Sequence, residues 1–358
     1  MKRSVETLIC KVFYSPLGDK LATLLGLYNL YAEYKVRTIK KKQLSYAMKE
    51  FNKESALGSF DDYNKALDKY WVSYSEYANQ YEFYTKSEEE RDEYVSRLKM
   101  AYFYWRYVPG KIKRFFRSKI NFLGAFRDYV YRKWLFAPES SFSEFQQMIT
   151  NYDCIVKPND GKLGKGVFKV YKNGNHKTDK ELYEKCVKNN MLVEQCIESC
   201  DELKAFHPQS LNTIRVVTIS NMEKSVVFGA VFRVGVGNNV VDNAHAGGLF
   251  AQINVKDGII ESDGIDTKGK KFICHPDSGI KFIGFKIPHW DSIVETCCEA
   301  AKIKGNPITG WDVAVNNQGK VEFVEGNYSP DFDLMQSQVG VKKRIYDMIK
   351  DYCNIEMN

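Results

Sequence analysis

Between Cys154 and Gly174 the chain reads CIVKPNDGKLGKGVFKVYKNG, two alternating runs separated by a loop that holds Gly161, Gly164 and Gly166. A period of two puts successive side chains on opposite faces of a strand, and the second run turns at Asn173-Gly174, so the two runs form a hairpin. This excludes a dinucleotide fingerprint, whose glycines must lead from a strand into a helix. Further short β-like runs at 191–197, 213–219, 225–234, 311–315 and 320–325, most of them antiparallel in character, predict an α+β domain and not a doubly wound sheet. Helices interrupt them at TDKELYEKCVKNN, which opens with Thr178 and Glu181 in capping-box spacing, and at WDSIVETCCEAAKIKG, closed by Gly305.

The first 136 residues have a different texture, rich in Tyr, Lys, Leu and Glu and poor in glycine, and predict helices. Tyr70, Tyr74, Tyr77, Tyr81 and Tyr84 recur at helical spacing, which predicts a packing seam on one helical face, within the chain or in a homodimer. FDDYNKALDKY and TKSEEERDEYVSRLK start acidic and finish basic, as solvated helices do. APESS at 137–141 marks the boundary between a helical N-terminal domain, 1–136, and a second domain, 137–358.

Of the net charge of +7, residues 101–136 carry nine Lys or Arg against one Asp, together with thirteen aromatic residues. Inward-packing rings with outward cations account for this, and an anionic membrane surface is the partner such a segment would suit. No nucleic acid partner is expected. With 44% hydrophobic and 27% charged residues, no stretch long enough to span a membrane and nine scattered cysteines, the sequence predicts a cytoplasmic protein with reduced thiols, peripheral to the membrane at most.

The hairpin loop suits a flap whose backbone N–H groups close over phosphates, with Lys157 on the entering strand and Lys165 on the loop. About 150 residues later, GWDVAVNNQGKVEFVEGNYSPD reads as strand, turn at Asn316 to Gly319, strand. Asp312 lies on the first strand, and Glu325 and Asn327, two apart, share a face at the end of the second. Three oxygen donors converging in an apolar setting need a cation, and Mg2+ is the natural one.

Together with LVEQCIE, SLNTIRVVT, FRVGVGNNVVDNAHAGG and HPDSGIKFIGFKIPHWD, these strings resemble the ATP-grasp superfamily, and within it the sugar-transfer associated branch found with polysaccharide biosynthesis, over roughly 140–340. The resemblance implies an ATP-grasp fold in which a flap subdomain, about 150–197, and a metal and acceptor subdomain, about 198–340, clamp ATP. It implies Mg2+, two ions by analogy, on Asp312, Glu325 and Asn327. Lys157 would contact phosphate beneath the flap of Gly161, Gly164, Lys165 and Gly166. The run Glu194, Gln195, Cys196 and Ile197 would be the hinge that reads adenine, with Glu194 near the amino group and Glu198 on the ribose. Arg215, Arg233 and Asn243 would serve the reacting phosphoryl group, and Asp242, His245, Gly247 and Gly248 the acceptor. His245 and Asp331 depart from the residues expected at their positions and leave the acceptor open.

The activity so implied is an ATP-dependent, ADP-forming carboxylate–amine ligase that works through an acyl-phosphate, on a sugar acid or glycan precursor carrying a carboxylate and on an amine. A kinase acting on a sugar or glycan hydroxyl, and a non-catalytic membrane-associated assembly protein, are the alternatives.

Overall fold

The computed structural model describes residues 15, 17, 19–20, 26–160, 165–172, 174, 179–237, 247–267, 269–336 and 340–357. Helices come first: α1 (Leu27–Glu50), α2 (Phe60–Tyr70), α3 (Glu88–Asp92), α4 (Arg97–Tyr107), α5 (Gly110–Arg117) and α6 (Lys119–Ala125). Ser59, Ser87 and Ser96 each accept an N–H in the first turn of the helix they precede, so three of these starts are fixed by a side-chain cap.

Two features differ from the expectation of long regular helices. The tyrosine stripe does not lie on one helix: α2 ends where Trp71 takes a left-handed conformation, and the chain restarts as a π-turn over Glu76–Gln80. Tyr70, Tyr74, Tyr77 and Tyr81 are nonetheless buried in one cluster with Tyr84 against it, because the reversal brings the rings of both segments back onto Tyr63 and Phe83. Similarly, TKSEEERDEYVSRLK holds the short capped helix α3, a break, and the start of α4.

Two antiparallel sheets follow. The first joins β1 (Trp134–Phe136), β2 (Cys154–Pro158), β3 (Phe168–Val170) and β4 (Met191–Gln195) in the order β1-β4-β2-β3. Cys154 faces Val170 and Val156 faces Phe168, so the expected hairpin is present. Helices α7 (Phe142–Asn151) and α8 (Asp179–Lys188) supply Phe145, Met148, Ile149 and Cys186 to its core.

The second sheet has seven strands, β5 (Thr213–Ser220), β6 (Ser225–Val234), β7 (Leu249–Ile253), β8 (Gly264–Ile265), β9 (Lys271–Phe272), β10 (Ile308–Val315) and β11 (Val321–Asn327), in the order β11-β10-β5-β6-β7-β8-β9. Between β9 and β10 runs α9 (Trp290–Lys304), closed by Gly305 in a left-handed conformation, and α10 (Lys342–Cys353) follows β11. Both bury apolar residues in the core of this sheet. The α+β class expected from the alternating runs is what the chain adopts. β7, β8 and β9 lie where no strand was expected: β8 and β9 are two residues each, too short for a period to register.

The basic, aromatic segment closes one side of this sheet. Trp311 is stacked on Phe323 at 4.9 Å between centroids, and Phe116, Phe122 and Phe126 surround it. Among the thirteen rings of 101–136 only Tyr131 is exposed, whereas Arg106, Lys111, Arg127 and Lys133 reach solvent. Among the described residues no helix is long and apolar enough to cross a membrane.

Gly326, opposite Trp311 on β11, is what lets these rings approach: a Cβ there would overlap the Phe122 ring and stand 2.9 Å from Phe116. Gly326→Ala is therefore expected to destabilise the protein by about 1–3 kcal/mol, the usual cost of overpacking, in urea denaturation followed by circular dichroism. Unchanged stability would show that the rings are not packed on this strand.

Candidate functional site

Lys157 stands on β2 on the same face as Glu194 of the neighbouring β4, since Ile155 pairs with Glu194 and side chains alternate. Its ammonium forms an ion pair with Glu194 Oε2. The other oxygen of Glu194 accepts from Arg132, Nε at 2.9 Å and Nη2 at 2.6 Å. Arg132 also donates from Nη1 to Glu322 Oε1 at 2.9 Å and to the Phe323 carbonyl at 2.7 Å. Lys157, Glu194, Arg132 and Glu322 thus form one chain of charges from the first sheet to β11 of the second. Arg132, Glu194 and Glu322 have side chains only 4%, 3% and 2% exposed. Burial works against the charge on Glu194, but the guanidinium of Arg132 and the ammonium of Lys157 outweigh it and hold its carboxyl below the ordinary range.

Both carboxylate oxygens of Glu194 are therefore engaged, one by Lys157 and the other by Arg132. After β4, the Gln195 N–H donates to the Lys133 carbonyl and the Cys196 N–H to the Asp153 carbonyl, at 2.9 and 2.7 Å. The Ile197 N–H has no hydrogen bond among the described residues. Glu198 accepts from the side chain of Asn317 at 2.8 Å, on the turn between β10 and β11. Lys165 is exposed, and Gly166 takes a positive φ of 76°. Gly247 also has a positive φ, and Gly248 is buried at the entry to β7. Gly161, Gly164, Asp242, Asn243 and His245 lie outside the described residues.

On the second sheet, strand register gathers the remaining charges on one face. Asp312 lies opposite Glu325 on one side and Arg215 on the other; Gly310 lies opposite Asn327, and Thr213 opposite Arg233. Arg215 donates from Nη2 to Asp312 Oδ2 at 2.9 Å and from Nε to Oδ1, and Arg233 Nη1 donates to Oδ1 at 3.0 Å. Burial raises the cost of charge on Asp312, yet the two guanidiniums prevail and its carboxyl is held down at about 2. Glu325 is exposed, and Asn327 Oδ1 accepts the Ser329 N–H at 3.0 Å.

Two carboxylates and an amide oxygen are the hard oxygen donors that Mg2+ takes, so the donor set fits that ion. Asp312 is committed to its arginines, however, and among the described residues no three His, Cys, Asp or Glu side chains form a ready metal cluster. Occupation by a cation requires Arg215 and Arg233 to turn away from Asp312.

The first sheet and β11 face each other across a crevice. Lys157 and Glu194 form one wall, Val324, Glu325 and Gly326 the other, and Phe116, Lys119, Phe122 and Leu123 close it. It is a narrow slot with no part wide enough for a water molecule. Lys119 is a residue that sequence reasoning missed. It stands near Glu325 and Lys157, and burial pushes its ammonium below the ordinary lysine range, opposed by Glu325 and reinforced by Lys157. Its position follows from Asn159, whose carbonyl accepts the Lys119 N–H at 3.1 Å and whose side chain accepts the Ile120 N–H at 3.0 Å. Arg132 was missed too: nothing local marks either contact, because both join segments about 40 residues or more apart.

A family model described as sugar-transfer associated ATP-grasp matches residues 130–350. Among solved structures, the chain is similar to the ATP-grasp ligase PsnB complexed with a minimal precursor, Mg and ADP, at 14% identity and a TM-score of 0.42, covering 81% of this chain and 75% of that one. It is also similar to N5-carboxyaminoimidazole ribonucleotide synthetase from Thermotoga maritima, at 10% identity and a TM-score of 0.38, over 67% of this chain and 50% of that one. A third likeness is to the biotin carboxylase domain of the Hydrogenobacter thermophilus 2-oxoglutarate carboxylase, at 11% identity and a TM-score of 0.41, over 70% and 48% of the two chains. In another PsnB complex the chain spans 60% of the ligase's length, and it spans 48% of an Aspergillus clavatus N5-carboxyaminoimidazole synthase. No curated protein matches the chain.

Two outcomes are expected of the charge networks. Arg132→Met leaves Glu194 and Glu322 buried without their shared cation and should cost about 3–5 kcal/mol in urea denaturation. The second concerns Asp312, whose carboxyl is depressed in the folded protein, so its ion pairs contribute fully above about pH 4 and are lost as pH falls toward 2. The stability gap between the protein and its Arg233→Met variant should hence be constant from pH 7 to about 4.5 and shrink below that. A gap that does not change with acid would rule out Arg233 as the group holding Asp312 ionised.

Proposed function

Because the chain belongs to the sugar-transfer associated ATP-grasp family over residues 130–350, we propose that it is an ATP-dependent carboxylate–amine ligase that forms an amide and releases ADP and phosphate. The observation that carries this reading is the crevice with Lys157 on one wall and Glu325 on the other, beside a sheet face bearing Asp312, Arg215, Arg233 and Asn327. Cationic side chains and a divalent ion on opposite walls are what a triphosphate requires.

In this reading the base lies against the Gln195 to Ile197 hinge, where backbone groups and not the Glu194 side chain read its edge. Glu198 lies beside the ribose. Lys157, joined by Lys119 from the closing wall, takes the phosphates, with the flap around Gly161, Gly164, Lys165 and Gly166 above them. Asp312, Glu325 and Asn327 would hold Mg2+, which supplies neutralisation of charge on the transferring phosphoryl group. Arg215 and Arg233, which pair with Asp312 in the resting site, would turn to the same phosphoryl group, each exchanging one ion pair for another.

The substrate carboxylate attacks the γ-phosphorus and ADP leaves. The amine, having lost a proton to solvent to become the free base, then attacks the acyl-phosphate carbonyl; phosphate leaves and the nitrogen releases a further proton to solvent. The segment of Asp242, Asn243, His245, Gly247 and Gly248 flanks the acceptor. The family's association with sugar transfer supports a sugar acid or glycan precursor as the carboxylate partner. The outward cations of 101–136 are compatible with a peripheral site at an anionic membrane, and the protein is read as cytoplasmic.

Glu325→Gln is the test. It should reduce ADP release, measured with sugar acids crossed with amino acids and followed by mass spectrometry of the coupled product, by at least about 100-fold with an unchanged circular dichroism spectrum. An active, folded variant would remove Glu325 from the reaction, and a stable phosphorylated product with no amide would make the protein a kinase.

A further inference from the structure

A second cavity, of about 170 Å3, lies between α4 and the segment that leaves β11. It is comparable in size with the ~150 Å3 engineered cavity that holds benzene, so it takes a molecule of a few heavy atoms. Met100, Tyr104, Pro330 and Phe332 make its apolar walls, and Arg97, Asp331 and Asp333 its polar end. Tyr104 fixes one wall to the other by donating to the Pro330 carbonyl at 2.9 Å. Half of the site thus comes from residues that precede the family match, which begins at residue 130.

The polar end carries more negative than positive charge. Arg97 forms an ion pair with Asp331 at 3.2 Å and lies against Asp333. Two carboxylates thus share one guanidinium, and buried Glu76 accepts the backbone N–H of Arg97 at 2.7 Å close by. Tyr81 donates to Asp333 Oδ1 at 2.7 Å, and Oδ2 is the oxygen that faces Arg97 Nη2. Burial and the neighbouring Asp331, against the opposing pull of Arg97, push the Asp333 carboxyl up to about 7. A site of this kind gains from a second cation that brings its own N–H donors.

The cavity also adjoins the charged face of the large sheet. Ser329 at its rim donates its N–H to Asn327 Oδ1 at 3.0 Å. A Cβ added at Gly310 would stand 2.8 Å from Pro330 Cβ and 3.6 Å from Arg215 Cδ, which puts Pro330 beside the stem of Arg215 on the face that carries Asp312.

We propose that this cavity binds the amine partner as an ammonium ion, with Asp331 and Asp333 receiving its N–H groups and its carbon chain lying between Met100, Tyr104 and Phe332. The assignment of the ligand as a substrate rests on the ligase reading; the binding itself does not. A small primary amine fits the volume, the excess of carboxylates and the apolar walls together. An anion would meet only Arg97, which already has two carboxylate partners, and a neutral alcohol would leave the charge uncompensated.

Ligand-observed NMR on the full chain with propylamine, propanol and propionate tests it, with MgATP binding followed in parallel by calorimetry. Propylamine should bind saturably and the other two should not. Asp331→Asn, at a half-exposed position where folding is not at stake, should weaken propylamine at least tenfold and leave the affinity for MgATP unchanged. Absence of propylamine binding, equal binding by the Asp331→Asn and Asp333→Asn variants, or preference for propionate would each overturn the proposal. Loss is assigned cleanly: MgATP bound without propylamine removes the amine cavity alone, whereas propylamine bound without MgATP removes the ligase reading and leaves the cavity standing.

Discussion

Three buried charges and the part-buried Lys157 join the two sheets, and the geometry of the crevice depends on them. Lys157 and Arg132 balance Glu194 and Glu322, so the chain of contacts is neutral as a whole, although each member is taken out of water. Burying ions in this way costs several kcal/mol each, and the mutual attraction returns that cost only when geometry and hydrogen bonding are both satisfied. Glu322 Oε1 meets the condition by also accepting the N–H groups of Tyr131 and Arg132, at 3.1 and 2.9 Å. An apolar substitute of equal volume would stabilise the fold at least as well. Its loss would fall on orientation: the network sets where Lys157 stands relative to β11, and with it the distance that a triphosphate must span.

The same balance of charge recurs at Asp312, with a different consequence. Two guanidiniums hold one carboxylate there, and Glu325 stands exposed nearby. A site built from opposite charges in this way is stable as it stands. In the proposed reaction Arg215 and Arg233 would exchange Asp312 for a phosphoryl group at little net change in charge, and a contact made only as charge develops is the kind that accelerates a reaction.

Strand pairing was legible in the sequence where the period was long enough to count. The β2–β3 and β10–β11 hairpins, the turn at Gly319 and the common face of Asp312, Glu325 and Asn327 all follow from alternation and turn chemistry. Glu194 was placed on the right strand, but its ion pair was not foreseen, because its partner Arg132 lies 62 residues away and no local signal reports a contact across that separation. The tyrosine spacing identified the packing seam but not the reversal at Trp71, whose left-handed conformation is unusual for a large side chain and is set by tertiary packing. Lys119 was hidden for a third reason: its run, SKINFLGAF, has a helical pattern in which one more lysine looks like solvent-facing charge.

The aromatic, basic segment ties these observations together. Rings concentrated between residues 101 and 136 suit a membrane interface only if they face outward, and here Phe116, Phe122 and Phe126 are spent on Trp311 and Phe323. The segment is thus part of the core of the large sheet, and its position brings functional consequences. Its α6 carries Lys119 into the crevice, α4 carries Arg97 and Tyr104 to the second cavity, and Gly326 accepts the rings of Phe116 and Phe122 that seat α5 and α6 on the sheet. Helices that precede the family match therefore supply walls to two sites within one stretch of about 30 residues. Changes in this stretch therefore bear on both sites, because Phe116, Lys119, Phe122 and Leu123 line the crevice while Arg97, Met100, Ala101 and Tyr104 line the second cavity.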